Sequence, residues 1–97
     1  MSDAGCRIDV WLWRARFLRT RSLATAFVER GAVRLTRDGR QIRLDRAARP
    51  VRVDDILVFA MGGRLIELRI EALGTRRGGA AEARALYILA APSAPGG

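Results

Sequence analysis

Apolar residues follow two successive rhythms along the chain. From Ile8 to Leu18 they recur at helical spacing. Ile8, Trp11, Leu12, Ala15 and Leu18 form one stripe, and Arg14, Arg16 and Arg19 fall largely off it. The pattern predicts a helix over Ile8–Leu18. Thr20-Arg21-Ser22 then reads as a helix junction, with Thr20 or Ser22 as N-cap. A second helix is predicted to about Arg30. Leu23, Ala26 and Phe27 with Val28 make its inner face, and Arg21, Thr25 and Glu29 its outer row. Gly31 is placed to end it.

After Gly31 the period becomes two. Val33 and Leu35 flank Arg34, Ile42 and Leu44 flank Arg43, and Val51 and Val53 flank Arg52. Asp38-Gly39 is a tight-turn pair, and Gly62-Gly63 is a second turn signal. Ile56–Phe59 reads as a buried strand. Over Arg64–Leu73, Ile66, Leu68 and Ile70 alternate with Glu67, Arg69 and Glu71. Gly74–Gly79 is a loop carrying Arg76-Arg77. Ala80–Ala90 reads as a short helix on alanine propensity, or Leu86–Leu89 reads as a strand. The fold class is therefore α+β: two packed N-terminal helices, then a small, mostly antiparallel sheet of four to five strands. At 97 residues there is room for one domain, expected over 7–90, with loose tails at 1–6 and 91–97.

Charge changes the picture. All 18 basic residues are arginine, against 10 acids, for a net +8. The whole excess lies in residues 1–53, where 13 arginines face 5 acids. Composition bias alone does not explain such one-sided placement, which is the footprint of a polyanion-binding protein. Arginine suits that partner, because its planar fork grips phosphate bidentately and stacks on bases.

Other chemistry is thin. With no histidine there is no Ser-His-Asp triad and no His-based metal site. One cysteine, Cys6, gives neither a disulfide framework nor a Cys-only zinc site, and no role is assigned to it. Asp54-Asp55 is the one adjacent acidic pair, and a turn explains it. No cofactor is expected. No apolar run approaches membrane-spanning length, the N-terminus lacks a signal-peptide pattern, and cysteine usage fits a reducing cytoplasm.

The candidate site is the cluster Arg14, Arg16, Arg19 and Arg21 at the junction of the two helices. Arg21 gains from the second helix's N-terminus, whose free N–H groups and dipole favour phosphate. Thr20 and Ser22 either cap the helix or bond phosphate. Arg7 either touches the polyanion or pairs with a carboxylate, and Asp9 is expected to be structural. Arg34, Arg37 and Arg40 extend the patch along the first strand and hairpin turn. Arg43, Arg46, Arg49 and Arg52 read as solvated or long-range steering charges. Trp11 is assigned to the core. Trp13 lies on another face, where it stacks on a base or covers a neighbouring strand.

Arg7-Ile8-Asp9, Trp11-Leu12-Trp13, Ala15-Arg16-Phe17, Thr20-Arg21-Ser22-Leu23-Ala24 and Gly31-Ala32-Val33, in that order, resemble the RNA-binding domain first defined in ribosomal protein S-four. Trp-Leu-Trp and Thr-Arg-Ser-Leu-Ala resemble one branch, the heat shock protein 15 family. Arg76-Arg77-Gly78 and Glu82–Tyr87 are similar to that family's later segment, so the resemblance spans residues 7–88. Leu35-Thr36-Arg37-Asp38-Gly39 departs from the usual Val-Asn-Gly hairpin. Asp54 stands where a glycine is usual, and up to Gly97 the sequence shows almost none of the longer basic C-terminal tail that bacterial relatives often carry.

The resemblance implies the alpha-L RNA-binding motif, docking on folded RNA, and membership among ribosome-associated heat shock proteins. It implies ribosomal RNA of the large subunit as partner, especially subunits left with a nascent chain on tRNA, and tRNA as a further candidate. The binding unit is expected to be a monomer. Two rival readings remain. One is an accessory tRNA- or general RNA-binding module working beside a separate RNA-modifying enzyme. The other is a membrane-surface or protein adaptor, for which no long basic amphipathic helix argues. Catalysis by the chain itself is not expected.

Overall fold

The computed structural model describes residues 5–90. The chain order is β1 (Cys6–Arg7), α1 (Ile8–Arg14), α2 (Arg21–Glu29), β2 (Val33–Arg37), β3 (Arg40–Leu44), β4 (Pro50–Val51), β5 (Ile56–Met61), β6 (Arg64–Ile70), α3 (Ala80–Arg84) and β7 (Tyr87–Leu89). Five strands form one antiparallel sheet in the order β3-β2-β5-β6-β7. β1 and β4 form a separate two-stranded ribbon. The α+β expectation holds, and the C-terminal ambiguity resolves into both a helix and a strand.

The helices cover one sheet face. Ile8, Trp11 and Leu12 of α1, with Ala24, Phe27 and Val28 of α2, meet Val33, Leu35, Leu57, Phe59, Leu68 and Ile70 from the sheet. The strand period places those sheet residues on a single side. Burying such side chains is worth about 1.5–3 kcal/mol each before entropy is counted, so this layer holds the domain together. Phe17 lies edge-on to Phe59 at 5.2 Å between centroids, which closes the core beneath the helix junction.

α1 is shorter than its apolar stripe suggests. It stops at Arg14, four residues before the predicted end. Arg16 donates its backbone N–H to the Trp13 carbonyl, and Phe17 donates to the Leu12 carbonyl. That pair of bonds is a Schellman closure, and it needs a left-handed residue between them. Arg16 supplies it with φ 67°, where glycine is usual. α2 ends the expected way, with Gly31 at φ 77°.

The inner face of α2 also differs. Leu23 is 52% exposed and Ala26 is exposed, while Ala24, Phe27 and Val28 are buried. Thr25, read as outward, donates its hydroxyl to Asp9 of α1. The Asp38-Gly39 turn has φ 54° and 76°, the two positive angles of a tight hairpin turn. Asp54 takes φ 80°, adopting without glycine the backbone that a glycine normally supplies there. The N-terminal boundary lies earlier than expected. Cys6, assigned to a loose tail, pairs with Val51 because β4 offers it an edge. The rest of the proposed tails, residues 1–4 and 91–97, falls outside the described residues.

Candidate nucleic-acid interface

The helix junction is set by two helix ends. α1 terminates at the left-handed Arg16, and α2 begins after Thr20, whose side chain accepts the Leu23 N–H at 3.0 Å. Of the two candidate caps, Thr20 takes the role, and Ser22 sits exposed in the first turn. Arg16, Arg19 and Arg21 are all exposed, and none pairs with a carboxylate among the described residues. The N-terminus of α2 opens into the same junction, so three unneutralised guanidiniums and a positive dipole end share one edge.

Asp9 fixes the relative position of the helices. It is 1% exposed. Arg7 donates to its two carboxylate oxygens at 3.0 and 2.8 Å, and Thr25 adds a third bond at 2.8 Å. Burial opposes the charge on Asp9. The bonds from Arg7 and Thr25 and the Arg7 charge outweigh burial, and its carboxyl lies below the usual range. Arg7 therefore makes the carboxylate pair that was one of its two readings. Its side chain remains 49% exposed.

Two candidate arginines are tied up inside the fold. Arg14 donates from Nη1 to the Gly74 carbonyl at 2.8 Å and the Leu73 carbonyl at 3.3 Å. It bridges α1 to the loop after β6, and its Nε is buried without a partner. Arg37 forms a bidentate pair with Asp55 at 2.8 and 2.7 Å. Asp55 is 2% exposed and also accepts the Arg52 N–H at 2.7 Å, so this pair locks the β2–β3 hairpin to the turn before β5. Arg34 and Arg40 are exposed. Arg34 alternates with buried Val33 and Leu35 and so projects from the sheet face away from the helices, opposite Arg43. The structure thus groups Arg16, Arg19, Thr20, Arg21 and Ser22 at the junction and sets Arg34 apart from them.

Sequence reasoning undervalued the loop after β6. Arg77 donates to the Trp13 carbonyl at 3.1 Å and lies 5.8 Å from the Trp13 ring centroid. Arg16 donates to the Gly78 carbonyl at 2.7 Å. Trp13 therefore carries an arginine on its ring while packing partly buried against the core. The Arg76-Arg77 doublet beside Gly78-Gly79 was the available signal, but nothing local says that this loop returns to α1. Among the described residues no cluster could hold a metal ion, and no helix is long and apolar enough to cross a membrane.

The chain resembles known proteins in sequence and in fold. Residues 6–35 match the S4 domain, the segment containing α1, the junction, α2 and the start of β2. The chain is 37% identical over 87 residues to the heat shock protein 15 homolog of Haemophilus influenzae, covering 90% of this chain and 63% of that one. It is 32% identical over 81 residues to heat shock protein 15 of Escherichia coli K12, covering 84% and 57%. It therefore spans about three fifths of these relatives' length. A solved trimeric structure of Vibrio cholerae heat shock protein 15 superposes with a TM-score of 0.77 at 34% identity, covering 90% of this chain and 83% of that one. A sequence and fold match of that extent, with the helix junction inside the matched domain, makes this chain a member of the heat shock protein 15 family.

Proposed function

We propose that the chain is a non-enzymatic RNA-binding protein. It docks the α1–α2 junction on structured ribosomal RNA of the large ribosomal subunit and takes part in recycling subunits that retain a nascent chain on tRNA. The observation that carries this reading is the exposed, carboxylate-free trio Arg16, Arg19 and Arg21 at a capped helix N-terminus. Positive charge concentrated without internal partners is unfavourable unless a polyanion neutralises it. Phosphates would be held by the arginine forks and by the free amides of α2, with shape rather than base sequence selecting the site. Thr20 and Ser22 would line the same phosphate track. Arg40 would add steering charge, and Arg7 would add a half-exposed contact. The interface lies on one chain, so a single chain is the proposed binding unit; the Vibrio relative is trimeric. The cytoplasm is the compartment in which such a partner is met.

The test is sucrose-gradient co-sedimentation in extract at two salt concentrations. Wild type is expected with large subunits at low salt, and the folded variant Arg16→Ala/Arg19→Ala/Arg21→Ala is expected at the top. Wild type that stays at the top while binding purified RNA would favour a smaller target such as tRNA, and with it the accessory-module reading. Sedimentation velocity decides the binding unit, since a trimer mass for free protein would overturn the single-chain proposal.

A further inference from the structure

The end of α1 and α3 enclose an open cleft of about 200 Å³. Arg16 and Arg84 stand in its lining, with Phe17, Ala83 and Tyr87. We propose that this cleft seats one phosphodiester and its ribose, with the two guanidiniums on the phosphate, as a second contact point on the RNA. The proposal rests on the RNA-binding reading and adds a contact beside the helix junction, with Arg16 shared between the two and Arg84 new to the site.

Charge in the cleft is of one sign. Among the described residues no carboxylate lines it. Glu82, the acid nearest in sequence, is held by Arg76 through bonds of 3.1 and 2.9 Å. Arg84 is exposed and has no ion-pair partner among the described residues. Apart from the Tyr87 hydroxyl, the alanine and aromatic side chains beneath carry no hydrogen-bonding group. Phe17 and Tyr87 lie 4.9 Å apart at their ring centroids and give the ribose an apolar seat.

Arg16 is prepared for this role at a cost. An L-residue in the left-handed region is strained, a cost that glycine would avoid. Its side chain is aimed by the bond from Nε to the Gly78 carbonyl, which leaves both terminal nitrogens available. The loop that provides this carbonyl is itself fastened to α1, by Arg14 on the Gly74 carbonyl and by Arg77 on the Trp13 carbonyl. A fork fixed before binding loses less freedom when it grips phosphate. Helix termination accounts for the left-handed backbone, and glycine would supply it without strain; an arginine kept there serves its side chain's contacts.

The experiment is fluorescence anisotropy with a labelled hairpin RNA titrated across a salt series, using Arg84→Gln, Arg84→Lys and Arg64→Gln. Arg64 is an exposed arginine at the β5–β6 turn and controls for the loss of one charge. The expected result is that Arg84→Gln lowers the log–log salt slope by about 0.7–0.9, that Arg84→Lys retains it, and that Arg64→Gln changes it little. Should Arg84→Gln match Arg64→Gln while Arg19→Ala/Arg21→Ala still lowers the slope, the cleft assignment is overturned and the RNA reading stands. Wild type without salt-dependent affinity would overturn both.

Discussion

Asp9 shows how one residue sets the site without belonging to it. Its carboxylate gathers a guanidinium from β1 and a hydroxyl from α2, and so holds the two helices that form the junction. Asp9→Ala removes the buried acceptor that joins Arg7 to Thr25 and is expected to cost about 1–3 kcal/mol in urea melts. The pH dependence has a definite sign. A carboxyl whose folded pKa lies below its unfolded value binds fewer protons in the native state. Its stabilisation is complete above the unfolded value, near pH 4, and is lost as pH falls through the lower folded value. Wild type should therefore lose more stability between pH 6 and pH 2 than Asp9→Asn, a comparison that denaturant melts in that range can read. Arg16 makes the converse case. Arg16→Gly relieves the left-handed backbone while losing one hydrogen bond, so its melting temperature is expected to stay within a few degrees while its RNA affinity falls. A large loss of stability with affinity intact would show that Arg16 serves the fold alone.

At the scale of elements, arginines sort by what they touch rather than by where they stand in the chain. Arg14 and Arg37 tie α1 to the loop after β6 and β2 to the turn before β5. Arg19 and Arg21 touch nothing charged among the described residues. Arg37→Ala, which leaves Asp55 buried beside a lost bidentate partner, is expected to cost about 2–4 kcal/mol in thermal or urea melts. Arg19→Ala should stay within about 0.5 kcal/mol of wild type. Equal effects would contradict the sorting. The difference was not legible in sequence, because both kinds of arginine sit among apolar residues at similar spacing and their partners lie 18 to 60 residues away. Most elements were legible, because apolar period and turn pairs are local: the second helix, the Asp38-Gly39 hairpin and the alternation in β6 all stand as read. The end of α1 was not, because its stop is an arginine in a conformation that local sequence assigns to glycine. Leu23 was misplaced on the inner face because a nine-residue helix leaves the direction of its apolar side to tertiary packing.

For the whole molecule, the balance between +8 overall and the few internal ion pairs predicts opposite effects of salt on two observables. Of the ion pairs among the described residues, Arg69–Asp54 and Arg76–Glu82 lie on the surface and are worth little at any ionic strength. The pairs on Asp9 and Asp55 have buried acceptors and are poorly screened. What salt screens best is repulsion among exposed arginines in residues 1–53, which opposes folding when no polyanion is present. Raising salt from about 50 to 500 mM should therefore raise the melting temperature of the free protein while it weakens RNA binding. Arg16→Ala/Arg19→Ala/Arg21→Ala should reduce both trends together, because the same charges drive them. A melting temperature that falls with salt would mean that surface pairs outweigh the repulsion. The excess charge would then be ordinary solvated surface, and the argument that the junction awaits a polyanion would lose its physical basis.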